Sequence, residues 1–175
     1  PDGDGRRTGV EVEFTGLTER EAADVAARLW GGTVAEPAPH VLEVGGTGIG
    51  TIRIALDTAL KEKAKTELAD TLLDLSREVV PVEIVTEPLP FDRLPEIDRL
   101  MAALAAAGAE GSRHGVLYAF GIHLNTEVAA PTADFIGPVV RAFAFVEQWL
   151  RDIAPPDLSR RVLPFTAPFP APFVA

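Results

Sequence analysis

Glu11 and Glu13 stand at i and i+2 in Gly9-Val10-Glu11-Val12-Glu13-Phe14, a run that otherwise reads as a β-strand. Successive side chains of a strand point to opposite faces, so both carboxylates share one face. Val10, Val12 and Phe14 share the other and can enter a core. The layout recurs twice. Val82-Glu83-Ile84-Val85-Thr86-Glu87 alternates with Glu83 and Glu87 on one side, and the strand region Gly115 to Asn125 puts His123 and Asn125 on one face, opposite Ile122 and Leu124. Laid side by side, such strands would gather Glu11, Glu13, Glu83 and His123 on one polar surface. Three carboxylates and an imidazole suit Mg2+ or Mn2+, and Mn2+ tolerates the imidazole better. The sequence has no HExxH and no pair of histidines at zinc spacing, which argues against a zinc hydrolase. It has no cysteine, and Ser76, Ser112 and Ser159 sit in no nucleophile-elbow context.

Each residue taken singly also has a plain structural reading. Glu11 and Glu13 could be solvated on an outer face. Glu83 and Glu87 could pair with an arginine on a neighbouring strand, such as Arg53. A lone His123 is more commonly a satisfied core histidine than a ligand. Repetition of the pattern on several strands is what favours a site.

The elements that must position these residues are legible in turn. Thr18-Glu19-Arg20-Glu21 fits a capping box, followed by Ala22, Val25, Ala26, Leu29 and Trp30 at helical spacing and by Gly31-Gly32 as a stop. Val41 to Val44 and Thr51 to Asp57 read as two strands. The Gly-rich stretch Gly45 to Gly50 between them lacks a following Lys-Ser/Thr and a helix, so a hairpin turn is favoured over a phosphate cradle. Lys61 to Val79 reads as a helix with Lys61, Lys63 and Lys65 at its start, more often a solvated face than an anion contact. Further helices are expected over about 92–107 and 133–153, the last bounded by Pro131-Thr132 and Pro155-Pro156. That last helix is apolar over most of its circumference and is expected to be buried on more than one side. A short turn joining two strands, alternating strands and recurring polar faces together predict an α+β fold. Its sheet would be mostly antiparallel, with helices on one face and a site on the other.

Composition sets the outer limits. With 175 residues, 47% of them hydrophobic, the chain can form one domain with a real core. A net charge of −10 argues against a nucleic-acid surface, which needs clustered Lys and Arg. No apolar run reaches membrane-span length and no signal peptide opens the chain, so the cytoplasm is the default expectation. Residues 1–8 read as a flexible Gly/Asp-rich segment, 9–165 as the domain, and 166–175 as an apolar tail that stops mid-phrase. The expectation is a part of a longer catalytic domain.

The ordered set of motifs resembles the amidoligase family, a branch of the carboxylate–amine ligases related to glutamate–cysteine ligases. The set comprises Gly9 to Phe14, then Glu83-Ile84-Val85-Thr86 with Pro88-Leu89, then Gly121-Ile122-His123-Leu124-Asn125. Arg6-Arg7, Ala107-Gly108-Ala109, Arg141-Ala142-Phe143 and Trp149-Leu150 add to it, so the similarity runs over about residues 6–165. The resemblance implies a glutamine-synthetase-like fold, a curved antiparallel sheet whose concave face takes Mg2+ and ATP. By the same resemblance Glu11, Glu13, Glu83 and His123 are metal ligands. Asn125 stands where relatives carry the second His of a His-x-His motif. It is the poorer ligand, with a role in hydrogen bonding to nucleotide or substrate. Asp57 stands where relatives have an acid near the amine substrate. The implied reaction activates a carboxylate as an acyl phosphate at the expense of ATP and forms an amide with an amine. The substrates would be small-molecule or peptide carboxylates and amines, with no nucleic acid and no membrane involved. Relatives also use basic residues from the second half of the fold, for which Arg141, Arg151, Arg160 and Arg161 are no obvious substitutes. Two alternatives stay open: a non-catalytic binding or assembly module that keeps the fold, and a metal-dependent hydrolase. A homo-oligomer is open as well.

Overall fold

A computed structural model of the chain describes residues 5–56, 81–111, 121–155, 167–170 and 172. The described residues form an α+β structure: a curved, unclosed, antiparallel sheet of seven strands with three α-helices. In chain order these are β1 (Arg7–Phe14), α1 (Glu19–Trp30), β2 (Thr33–Ala38), β3 (Val41–Thr47), β4 (Gly50–Leu56), β5 (Val82–Thr86), β6 (Leu89–Pro90), α2 (Pro95–Ala107), β7 (Ile122–Thr126) and α3 (Ala133–Ile153). The expected helix over 61–79 lies outside the described residues. No helix among those described is long and apolar enough to cross a membrane.

The strands follow β2-β3-β4-β5-β1 across the sheet. β1 is flanked on both edges: Glu11 pairs with Val85 of β5 and with His123 of β7, and Val12 with Ile84 and Ile122. β6 pairs with Arg7 and Thr8 of β1, prolonging β5 along the same edge after a one-residue shift of register. At that shift the backbone N–H of Val10 is taken up by Thr86 Oγ1 at 3.1 Å, deep in the structure. A buried donor without a partner costs about 1–3 kcal/mol, so the hydroxyl of Thr86 keeps the shift from being a defect. β1 begins at Arg7, and Thr8 is buried with its hydroxyl 3.2 Å from that of Thr126.

One face of the sheet carries the core. Val10, Val12 and Phe14 of β1, Leu42 and Val44 of β3, Ile52 and Ile54 of β4, and Val82 and Ile84 of β5 pack against α1 and α2. α1 buries Ala22, Ala23, Val25 and Ala26; α2 buries Ile97, Leu100 and Leu104. The capping box at the start of α1 is formed, with the Glu21 N–H donating to Thr18 Oγ1 (3.2 Å) and the Thr18 N–H donating to Glu21 Oε2 (2.8 Å). The two helices are tied by Trp30, whose indole N–H donates to Glu96 Oε2 at 2.9 Å. That bond holds the Glu96 carboxyl below the usual carboxylate range.

Two glycines set the turns that let this layer close. Gly16 has φ +85°, and any side chain there would collide with the Gly108 carbonyl, where α2 ends. Gly32 has φ +102°, and a Cβ would sit 2.5 Å from the Gly45 carbonyl oxygen. The Gly-rich stretch ends β3 and turns into β4 as the hairpin expected from its sequence, closed by Thr47 pairing with Gly50. β2 contains Pro37 and carries a register irregularity, both tolerated because it is the edge strand.

α3 differs from expectation. Its limits agree with the sequence reading, but Ile136, Val139, Phe143, Phe145, Val146, Trp149 and Ile153 are all exposed. Only Ala144 and Glu147 are buried on it. Among the described residues its tertiary contacts gather at Phe169, whose ring meets Phe143 edge-on at 6.0 Å. The apolar pattern marks the faces of a helix that can be covered; it carries no information about whether a second layer is present to cover them.

Candidate functional site

Among the described residues the core and its helices lie on one face of the sheet, and the antiparallel register decides what stands on the other. Residues directly opposite on neighbouring strands share a face. Glu11 is therefore beside His123 on one side and Val85 on the other, and Glu13 is beside Glu83. Along the same rows Val85 is beside Arg53 and Glu83 beside Ala55, and Arg53 is beside Glu43 of β3. Four residues expected to act together, Glu11, Glu13, Glu83 and His123, are thus brought onto one surface at the junction of β5, β1 and β7. Asp57, the fifth acidic or imidazole group of the sequence reading, lies outside the described residues.

Glu11 is the best-defined member. Its side chain is 30% exposed, and His123 Nδ1 lies 3.0 Å from Oε2. Asn125 donates from Nδ2 to Oε1 at 2.8 Å. Two residues at i and i+2 on β7 thus hold the two oxygens of one carboxylate across the strand pair. Gly9 stands opposite Asn125 and contributes no side chain to the surface beside it. The next pairing step is maintained by backbone, the Glu13 N–H donating to the Gly121 carbonyl at 3.0 Å. One amide N–H of Asn125 orients Glu11, which leaves its second N–H and its carbonyl oxygen for other contacts.

Hard oxygen donors on a shared face are the right chemistry for a small divalent cation. Among the described residues, however, no three His, Asp or Glu side chains converge as a ligand set. Glu11 is turned toward β7, and Glu13 and Glu83 face each other one row away. The residue types suit a divalent cation, but in this arrangement the described side chains do not converge on one.

Alternation alone allows Arg53 to partner Glu83 or Glu87. The register places it beside Glu43 and Val85 instead, and Glu83 is beside Ala55. Face membership is readable from alternation, but which residues meet across strands depends on a register that the sequence does not display.

A separate depression in the described surface is lined by Glu19, Arg20, Glu36, Pro39, His40 and Leu42. Its walls are already paired, His40 with Glu19 at 2.8 Å and Arg20 with Glu36 at 3.0 Å, so it offers no convergent free groups.

A family model described as "Putative amidoligase enzyme" matches residues 4–175. The chain belongs to this family. In comparisons with curated proteins and with solved structures, nothing matches. Membership supports a ligase enzyme. It also agrees with the strands that carried the resemblance: β1, β5 and β7 are adjacent in the sheet.

Proposed function

We propose that this amidoligase-family chain is the catalytic part of an ATP- and Mg2+-dependent carboxylate–amine ligase, working in the cytoplasm on small-molecule or peptide substrates. The observation that carries this reading is the placement of Glu11, Glu13, Glu83 and His123 on one open face of an antiparallel sheet, in a chain of this family. A glutamine-synthetase-like arrangement, with ligands on the hollow side of a curved sheet, is part of the proposal.

The chemistry follows from what a carboxylate lacks. It is a poor electrophile, so one of its oxygens first attacks the γ-phosphorus of ATP, ADP leaves, and an acyl phosphate remains. The amine nitrogen then attacks the acyl carbon, and the carbon–oxygen bond to phosphate breaks with its electron pair going to phosphate. Glu11, Glu13, Glu83 and His123 would hold divalent cations, which supply charge neutralisation for phosphoryl transfer. Asn125 keeps Glu11 oriented. Asp57 is proposed as the acid that receives the proton of the incoming ammonium.

Calorimetry with Mn2+ and a non-hydrolysable ATP analogue tests the reading, using the chain and its Glu11→Ala/Glu13→Ala variant. Binding of both by the chain and their loss in the variant is the expected result. Mn2+ binding without nucleotide would favour a metal-dependent hydrolase. If the chain binds neither, the ligase reading fails and a non-catalytic module with this fold replaces it.

A further inference from the structure

We infer that Arg53 is an oxyanion anchor of this face, set to hold a phosphate or carboxylate group whose remainder extends over Val85 toward Glu11 and His123. The inference rests on the ligase reading for its choice of ligand and on the structure for its place. Arg53 lies on the same open face as the acidic set, and its side chain is exposed. Its direct cross-strand neighbours are Glu43 and Val85. An opposite-charge pair would be expected between Arg53 and Glu43, yet Arg53 forms no ion pair or hydrogen bond with any described residue. Most other described arginines are committed. Arg20, Arg99 and Arg151 pair with carboxylates, and Arg7 and Arg93 donate to backbone carbonyls. Arg6, Arg28 and Arg141, which have no such partner, lie before β1, on α1 and on α3.

The spacing makes the placement useful. Arg53 and Glu11 are two strands apart, with Val85 between them in the same row. Two inter-strand steps amount to about 10 Å, and side chains stand roughly perpendicular to a sheet. At that separation the guanidinium and the Glu11 carboxylate are too far apart to neutralise each other. Val85 offers a half-buried apolar floor between them. A small molecule or a polyphosphate can lie across the valine with its anionic end on Arg53 and its reacting end among Glu11, Glu13 and His123. A guanidinium is suited to the first task because its fork of donors meets two oxygens of one oxyanion.

Two sources of the oxyanion share this chemistry, the nucleotide phosphates and the substrate carboxylate, and binding measurements separate them. The chain, Arg53→Ala and Arg53→Lys are titrated with ADP and with succinate in the presence of Mn2+, and Mn2+ binding is measured alone on each. Melting by circular dichroism confirms that the exposed substitution leaves the fold intact. The expected result is a ten- to hundredfold loss of affinity for one probe in Arg53→Ala, the range for a charge-assisted contact. Partial recovery is expected in Arg53→Lys, with Mn2+ affinity unchanged in both. Loss confined to ADP assigns the phosphates, and loss confined to succinate assigns the carboxylate. Equal binding of both probes by the chain and Arg53→Ala overturns the inference, as does a chain that binds neither probe. If the chain binds a probe through Arg53 but not Mn2+, the anchor stands and the metal-dependent ligase reading falls. If it binds Mn2+ but Arg53→Ala changes nothing, the reverse holds.

Discussion

Val10 and Leu124 face each other across β1 and β7, yet Val10 has no exposed surface and Leu124 is 61% exposed. The two residues mark the border between two unlike regions. On the β1 side, α1 and α2 cover the sheet and the alternating strands bury one full face. From β7 onward the same kinds of residue remain in the open: Ile122 and Leu124 on the strand, and the apolar faces of α3. The hydrophobic effect stabilises only area that is removed from water, so similar sequence patterns contribute very differently in the two regions. The candidate site straddles the border, with Glu11 and Glu13 on the well-packed strand and His123 and Asn125 on the exposed one. Its rigidity is therefore unequal, and the hydrogen bonds from β7 to Glu11 join a firm element to a less supported one.

The sharpest way to break this comparison is to remove apolar volume on each side of it. Leu100→Ala, at a site with no exposure, should cost about 2–5 kcal/mol in urea unfolding, whereas Phe145→Ala on α3 should stay within about 0.5 kcal/mol. Similar losses for the two would mean that α3 is packed in solution, and the contrast would collapse. Gly16→Ala should come next, at about 1–3 kcal/mol, because the substituted residue must keep a positive φ while its methyl meets the Gly108 carbonyl. A stability equal to the parent's would show that the α2 terminus does not close against this turn.

The smallest effect is at the first cap. Thr18→Ala should lower stability by about 1 kcal/mol. It should also change the acid limb of the pH profile. Glu21 is held below the usual carboxylate range, first by the Thr18 backbone N–H and then by its hydroxyl. A depressed carboxyl contributes stability that is fully present above the ordinary glutamate value of 4.5 and is lost as pH falls through the lowered one. Removing the hydroxyl should shrink that acid-side loss, as read from melting temperatures between pH 3 and 7 (about the span in which carboxylates titrate). An unchanged acid limb would mean that the hydroxyl adds nothing to the ionised form.

Much of this was legible in the chain because it is local. The Thr18–Glu21 box, the Gly-rich hairpin and the limits of α3 each depend on residues a few positions apart. The open face was legible too, since alternation alone assigns Glu11, Glu13, Glu83 and His123 to polar sides. What stayed hidden is non-local. The register that sets Arg53 beside Glu43, the grip of Asn125 on Glu11 and the use of Thr86 to satisfy Val10 all depend on which strand lies next to which, and by how much it is shifted. The exposure of α3 was hidden for another reason, because a helix's pattern describes its own faces and not its neighbours.

The placement of Trp30 has an optical consequence. The chain has two tryptophans, and the border between the regions runs between them. Trp30 is partly shielded where α1 meets α2, with its indole bonded to Glu96, while Trp149 on α3 is 59% exposed. Intrinsic fluorescence therefore combines two emitters in different surroundings. A quencher dissolved in the buffer reaches Trp149 first, and a blue-shifted remainder reports on Trp30. Single Trp→Phe variants would turn one spectrum into two separate records, one following the covered core and the other following whatever approaches α3.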